Sequence, residues 1–105
     1  MLNETQELLL QLLTNALPPD WSVSSSTHSP SGNMSIVHVS HKRSSRILAV
    51  ELFFLNDGKQ LHFGVNYNMI SYETLTLSDP SVDVLARLKE HLSRRLSEAS
   101  ELWGT

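Results

Sequence analysis

Residues 47–66 read ILAVELFFLNDGKQLHFGVN, and this stretch decides the fold. The run Ile47–Leu55 is almost continuously apolar, which is typical of a central β-strand. Asp57-Gly58 is the signal of a two-residue type I′ hairpin turn, and apolar residues alternate with polar or small ones after it. This turn predicts a register that pairs only apolar residues on one face: Phe54 with Leu61, Leu52 with Phe63, Val50 with Val65 and Leu48 with Tyr67.

Further strands are predicted on both sides of this hairpin. The serine-rich residues 21–26 alternate as a polar edge strand, and residues 35–41 also alternate. Residues 69–77 are predicted to form a fifth strand. A loop centred on Ser44-Ser45 predicts the pairs Val39–Val50, Val37–Leu52, His38–Glu51 and Ile36–Phe53. A turn at Tyr67-Asn68 predicts the pairs Val65–Ile70, Phe63–Tyr72 and His62–Glu73.

Amphipathic helices are predicted at both ends of the chain. The first covers residues 3–17, with Asn3 as its N-cap and Pro18-Pro19 as its stop. The second follows Asp79-Pro80, a cap with proline at the first helical position. Its apolar stripe consists of Leu85, Leu88, Leu92, Leu96, Ala99 and Leu102, and its solvated side offers the ion pairs Asp83–Arg87 and Glu90–Arg94.

The predicted order is therefore helix, five strands, helix. At 105 residues the chain has the length of one domain, so we expect a single α+β domain over residues 1–105. Both helices must bury an apolar stripe, which is best done on one face of a five-stranded antiparallel meander sheet. The other face of the sheet is then left uncovered by the chain.

Composition narrows the class of protein. The chain has no cysteine, no run long enough to span a membrane and no secretory leader, so we expect a soluble, cytoplasmic protein. Its formal net charge of -3 makes it a small acidic protein and argues against nucleic-acid binding, although Lys42, Arg43 and Arg46 cluster at one hairpin tip. Phosphate-binding loops, a nucleophile elbow and the His-Glu-x-x-His motif are missing from the sequence, so we assign no catalytic residue, cofactor or metal.

The uncovered face is where we expect function. A fully solvated sheet face rarely keeps several large apolar side chains together, and such exposure usually marks an interface. We therefore expect a small non-enzymatic protein-binding module of the adaptor, chaperone or inhibitor type, which holds a protein partner or forms a homodimer. The predicted partner-binding residues are Ile36, His38, Glu51, Phe53, Leu55, His62, Glu73 and Leu75.

An alternative uses the titratable side chains of the same face. His38, Glu51, His62 and Glu73 would lie on adjacent strands, and two imidazoles with two carboxylates can bind a divalent ion or serve a hydrolytic site. The competing explanation is that they form cross-strand pairs, each contributing roughly 0.2–1 kcal/mol. The interaction module is the preferred hypothesis, with the ligand- or metal-binding protein as the alternative.

Overall fold

The computed structural model describes residues 4–66 and 70–102. They form an antiparallel sheet of five strands in chain order, with a helix before it and a helix after it, which confirms the predicted α+β meander. The elements are α1 (Glu4–Ala16), β1 (Trp21–His28), β2 (Met34–His41), β3 (Ile47–Leu55), β4 (Gln60–Asn66), β5 (Ile70–Thr76) and α2 (Val84–Leu102).

Both helices pack on the same face of the sheet. A single apolar core lies between them and the strands, because each strand sends alternate side chains towards the helices. Phe63 and Val65 of β4 are fully buried there, together with Leu13 of α1 and Leu92 of α2. Within the part of the chain that is described, neither helix is long and apolar enough to cross a membrane.

The hairpin between β3 and β4 has the predicted register. Val50 pairs with Val65, Leu52 with Phe63 and Phe54 with Leu61. Lys59 N–H donates to Asn56 O at 3.1 Å, and Asp57 and Gly58 have φ values of 55° and 81°, as a type I′ turn requires. The predicted Leu48–Tyr67 pair lies outside the described residues.

The hairpin between β2 and β3 differs from the prediction by two positions. Val37 pairs with Val50, Val39 with Leu48, His38 with Ala49 and Ile36 with Glu51, so the predicted partners were wrong. The loop is not centred on Ser44-Ser45. Ser45 has a φ of 59° and donates its N–H to His41 O, and the N–H of His41 donates to Arg46 O. Since side chains alternate with period two, an even shift leaves every residue of β2 on its predicted face.

The hairpin between β4 and β5 differs by one position, which has a larger effect. Phe63 pairs with Glu73, Gly64 with Tyr72, Val65 with Ser71, and His62 with Thr74, so the predicted pairs were wrong. An odd shift turns each side chain to the other face of the sheet. The turn predicted at Tyr67-Asn68 and the predicted strand start at Met69 lie outside the described residues.

Helix α2 begins at Val84, later than predicted. The Asp79 carboxylate accepts hydrogen bonds from the N–H and hydroxyl of Ser81, which makes a local turn in place of a helix cap. Asp83 is the N-cap, since its Oδ1 accepts the N–H of Ala86 at 3.1 Å. The predicted N-cap of α1, Asn3, lies outside the described residues.

The two ion pairs predicted on α2 have different outcomes. Arg94 contacts Glu90 at 2.7 Å, as predicted. Arg87 is directed instead at Glu73 of β5, at 2.9 Å, so the predicted pair with Asp83 was wrong. The Asp83 carboxylate caps the N-terminus of α2. Arg87 therefore pairs with the sheet residue Glu73 and not with Asp83.

Candidate interaction face

The side of the sheet turned away from α1 and α2 is called the open face below. Neither helix covers it, and the pairing registers place six of the eight predicted partner-binding residues on it. Those six are Ile36, His38, Glu51, Phe53, Leu55 and His62. Met34, Ala49, Gly64, Asn66, Tyr72 and Thr74 lie on the same face.

Glu73 and Leu75 do not lie on the open face, and their predicted placement was wrong. Leu75 pairs with Leu61 and is only 5% exposed, as part of the core. Glu73 points towards α2, where its Oε2 lies 2.6 Å from His91 Nδ1 and its Oε1 accepts from Arg87 Nη2 at 2.9 Å. The one-position shift between β4 and β5 is the physical reason.

The four residues of the alternative metal or hydrolytic site are therefore not brought together. Glu73 lies on the opposite side of the sheet, and His38 pairs with Ala49 instead of Glu51. His62 Nδ1 shares a 2.8 Å hydrogen bond with Thr74 Oγ1. In residues 4–66 and 70–102, no three or more His, Asp and Glu side chains are arranged to hold a metal ion.

An aromatic cluster occupies the β4 side of the open face. The rings of His62 and Tyr72 are stacked, with centroids 4.5 Å apart and an interplanar angle of 25°. Phe53, which pairs directly with His62, has its ring centroid 6.3 Å from that of Tyr72 in an edge-to-face arrangement. Tyr72 is 36% exposed, so the cluster reaches the surface.

Gly64 explains why Tyr72 can reach across the sheet. Glu51, Gly64 and Tyr72 form one row over three neighbouring strands, and the central position carries no side chain. Outer members of such a row are about 9.5 Å apart at the backbone, because neighbouring strands lie about 4.7–4.9 Å apart. Across this gap Tyr72 Oη donates a 2.7 Å hydrogen bond to Glu51 Oε1.

Glu51 is thus held by neutral donors on both oxygens. Its Oε2 accepts a 3.3 Å hydrogen bond from Asn66 Nδ2, beside the bond from Tyr72 to Oε1. The hydrogen bond to Glu51, partial burial and the negative charge together raise the pKa of Tyr72 to about 12. The phenol is therefore protonated at neutral pH and acts as a hydrogen-bond donor.

Charge is distributed unevenly over the sheet. The described strands contain no lysine or arginine, and their acidic residues are Glu51 and Glu73. Glu73 is paired with Arg87 on the helix side. Glu51 carries the acidic charge of the open face, and no salt bridge to it is found among the described residues.

His38 occupies the other half of the open face, towards β1. It pairs with Ser25 on one side and Ala49 on the other. Its Nδ1 is buried, and in the described part of the chain no hydrogen-bond partner meets it. His38 is therefore separate from the aromatic cluster, and it takes no part in the described hydrogen bonds of Glu51.

On the helix side, sequence reasoning missed a polar contact. His91 is 2% exposed and packs edge-on against Phe63, with centroids 4.9 Å apart. Burial lowers the pKa of His91 more than the hydrogen bond to Glu73 raises it. Burial raises the pKa of Glu73, but hydrogen bonds from Arg87 and His91 and their charges outweigh this effect and leave the pKa below its usual value.

The sequence signal for this contact was a histidine within the apolar stripe of α2, beside Leu92 and three positions after Leu88.

Tyr72 was also missed as an open-face residue. The predicted register placed Tyr72 in the core, opposite Phe63, and no sequence pattern linked it to Glu51. Comparison of this chain with protein-family models, curated proteins and solved structures gives no significant match. The function is therefore inferred from the side chains of the open face.

Proposed function

We propose that this protein is a non-enzymatic interaction module that binds a separate protein through its open face. The observation that carries the proposal is a sheet side left uncovered by both helices, on which Phe53, His62 and Tyr72 form an aromatic cluster. Leu55 at the end of β3 adds apolar surface that is 41% exposed. Aromatic side chains that combine apolar area with a polar tip are enriched at protein interfaces.

A catalytic role has less support from the same side chains. The hydrogen bond to Glu51 raises the pKa of Tyr72 to about 12, so its phenol is a weaker acid than an ordinary tyrosine and is a poor proton donor for catalysis. His62 Nδ1 is engaged by Thr74. These contacts orient the side chains for recognition, and they do not combine a nucleophile with an adjacent base as an acyl-transfer site would.

A separate protein fits this face better than a second copy. In a twofold dimer the same patch meets itself, so each Glu51 would face a surface whose strands supply no lysine or arginine. A carboxylate removed from water without a cation is costly. The homodimer expected from the sequence is therefore an outcome of the test and is not part of the proposal.

The test is selection of binders from a random peptide library displayed on phage. We expect enriched peptides to bind the wild-type protein and to shift the backbone amide resonances of β3 and β4 in NMR spectra. Phe53→Arg should abolish this binding. Leu8→Arg is the matched control, because Leu8 is 59% exposed on α1 and its replacement should leave binding unchanged.

Two results would overturn the proposal. One is a set of enriched peptides whose amide shifts map to the helices and which still bind Phe53→Arg. The other is a concentration-dependent dimer in sedimentation equilibrium that Phe53→Arg dissociates, since a second copy would then occupy the open face. We expect a monomer at all concentrations.

A further inference from the structure

The chemistry of Glu51 indicates what a partner must bring to the open face. An ionised carboxylate offers about four acceptor positions, and the described contacts use one on each oxygen. Both donors, Tyr72 Oη and Asn66 Nδ2, are neutral. Residues of β4 and β5 thus orient the Glu51 carboxylate, and the described contacts leave some of its acceptor positions unused.

Comparison with Glu73 shows what Glu51 lacks. On the helix side, the Glu73 carboxylate is matched by Arg87 at 2.9 Å. On the open face, Glu51 is half-buried and has no such cation among the described residues. A partner that covered this face without a positive charge would remove the carboxylate from water uncompensated, which is unfavourable.

The rings beside Glu51 favour one kind of cation. Phe53 lies two positions along β3 on the same face, and Tyr72 reaches Glu51 from β5. A guanidinium group can bond a carboxylate in a bidentate manner and stack on aromatic rings, and it is less strongly hydrated than an ammonium group. Arginine therefore suits this setting better than lysine.

We propose that Glu51, Phe53 and Tyr72 form a subsite for an arginine side chain of the protein partner. The inference rests on the proposed function and names the chemistry of its partner. The guanidinium group bonds the free acceptor positions of Glu51 and lies beside the two rings. Asn66 keeps the carboxylate in place as the arginine enters.

The experiment uses the same phage-displayed library, selected in parallel on the wild-type protein and on Glu51→Gln. We expect arginine to be enriched at one position of the wild-type binders and not of the Glu51→Gln binders. Glu90→Gln is the matched control, because it removes one negative charge on α2, far from the open face, and should select arginine as the wild type does. Thermal melting of each variant establishes that it is folded.

Synthetic peptides then measure the contribution of the charge. Replacing the selected arginine by citrulline, which has the same shape without the charge, should weaken binding to the wild type by about tenfold. The same replacement should change binding to Glu51→Gln by less than about twofold, as expected when the two groups are coupled. Replacement by lysine should give an intermediate loss, and added salt should weaken the arginine peptide more than the citrulline peptide.

The outcomes separate the two proposals. Peptides that require Phe53 but contain no preferred arginine, or that bind Glu51→Gln as tightly as the wild type, overturn the arginine subsite and leave the interaction module standing. If every selected peptide still binds Phe53→Arg, or if no peptide is selected, the proposed function is overturned, and the subsite is overturned with it.

Discussion

Glu73 and His91 meet across the interface between β5 and α2, with 2.6 Å between Oε2 and Nδ1. The contact is buried on the histidine side, and Arg87 completes it at the surface. It stabilises the register in which Glu73 points towards the helices and Tyr72 points away from them. The same register gives the open face its aromatic cluster.

Stability should fall on acidification, because His91 is buried at this contact. Burial, chiefly, lowers the pKa of His91 in the folded state below 6.5, so the unfolded chain takes up this proton first. The stabilisation is present above pH 6.5 and is lost as the pH falls through the folded pKa. Glu73, whose folded pKa is also lowered, adds a second loss below pH 4.5.

Urea unfolding at pH 7.5, 5.5 and 4 measures this dependence on the protein and on His91→Leu. We expect His91→Leu to show a smaller loss of unfolding free energy between pH 7.5 and 5.5, with the other histidines unchanged as the internal control. Equal losses in the two proteins would show that His91 does not carry the effect.

Adjacent aromatic residues of β3 and β4 should respond differently to substitution. Phe63 is fully buried, and Phe63→Ala should lower the free energy of unfolding by about 3–5 kcal/mol in a chemical denaturation. Phe54 faces the helices but is only partly buried, so Phe54→Ala should cost less. Phe53→Arg on the open face should cost about 1 kcal/mol or less, because the arginine can stay in water. A larger loss for Phe53→Arg than for Phe63→Ala would contradict the assignment of the faces.

Gly58 should be sensitive to substitution even though it is exposed. A Cβ at this position meets nothing within 4 Å, so the cost comes from φ 81° alone. Gly58→Val should lower the unfolding free energy by about 1–3 kcal/mol. Gly58→Asn is the control and should cost less, because asparagine tolerates positive φ. Equal thermal midpoints for the two variants would argue against the type I′ turn.

The hydrogen bond between Tyr72 and Glu51 should be visible in an alkaline titration. The ¹³Cζ resonance of Tyr72 should report a pKa of about 12, and Glu51→Gln should bring it towards 10 by removing the negative acceptor. A free tyrosine analogue with both ends blocked, titrated under the same conditions, serves as the reference for an ordinary phenol. If the pKa of Tyr72 does not change in Glu51→Gln, the bond seen between them is not maintained in solution.

The central hairpin could be predicted from local sequence alone. Asp57-Gly58 allows the positive φ values of a type I′ turn, and only one register places Leu52 opposite Phe63 with every neighbouring pair apolar. The two helices could be predicted because their apolar residues recur with helical spacing. The placement of Glu51, Phe53, Leu55 and His62 on the open face followed from this hairpin. Ile36 and His38 kept their predicted face because the error in the β2–β3 register was an even number of residues.

The last strand could not be predicted in the same way. Apolar residues of β5 occur at both even and odd positions: Ile70 and Tyr72 at even ones and Leu75 at an odd one. The hydrophobic pattern therefore does not predict which side of this strand faces the core. Glu73 looks like a surface residue until Arg87 and His91 are known to meet it from α2, 14 and 18 residues further along the chain. Tertiary packing decided this register, because only the folded chain supplies the donors that make a carboxylate acceptable against the helices.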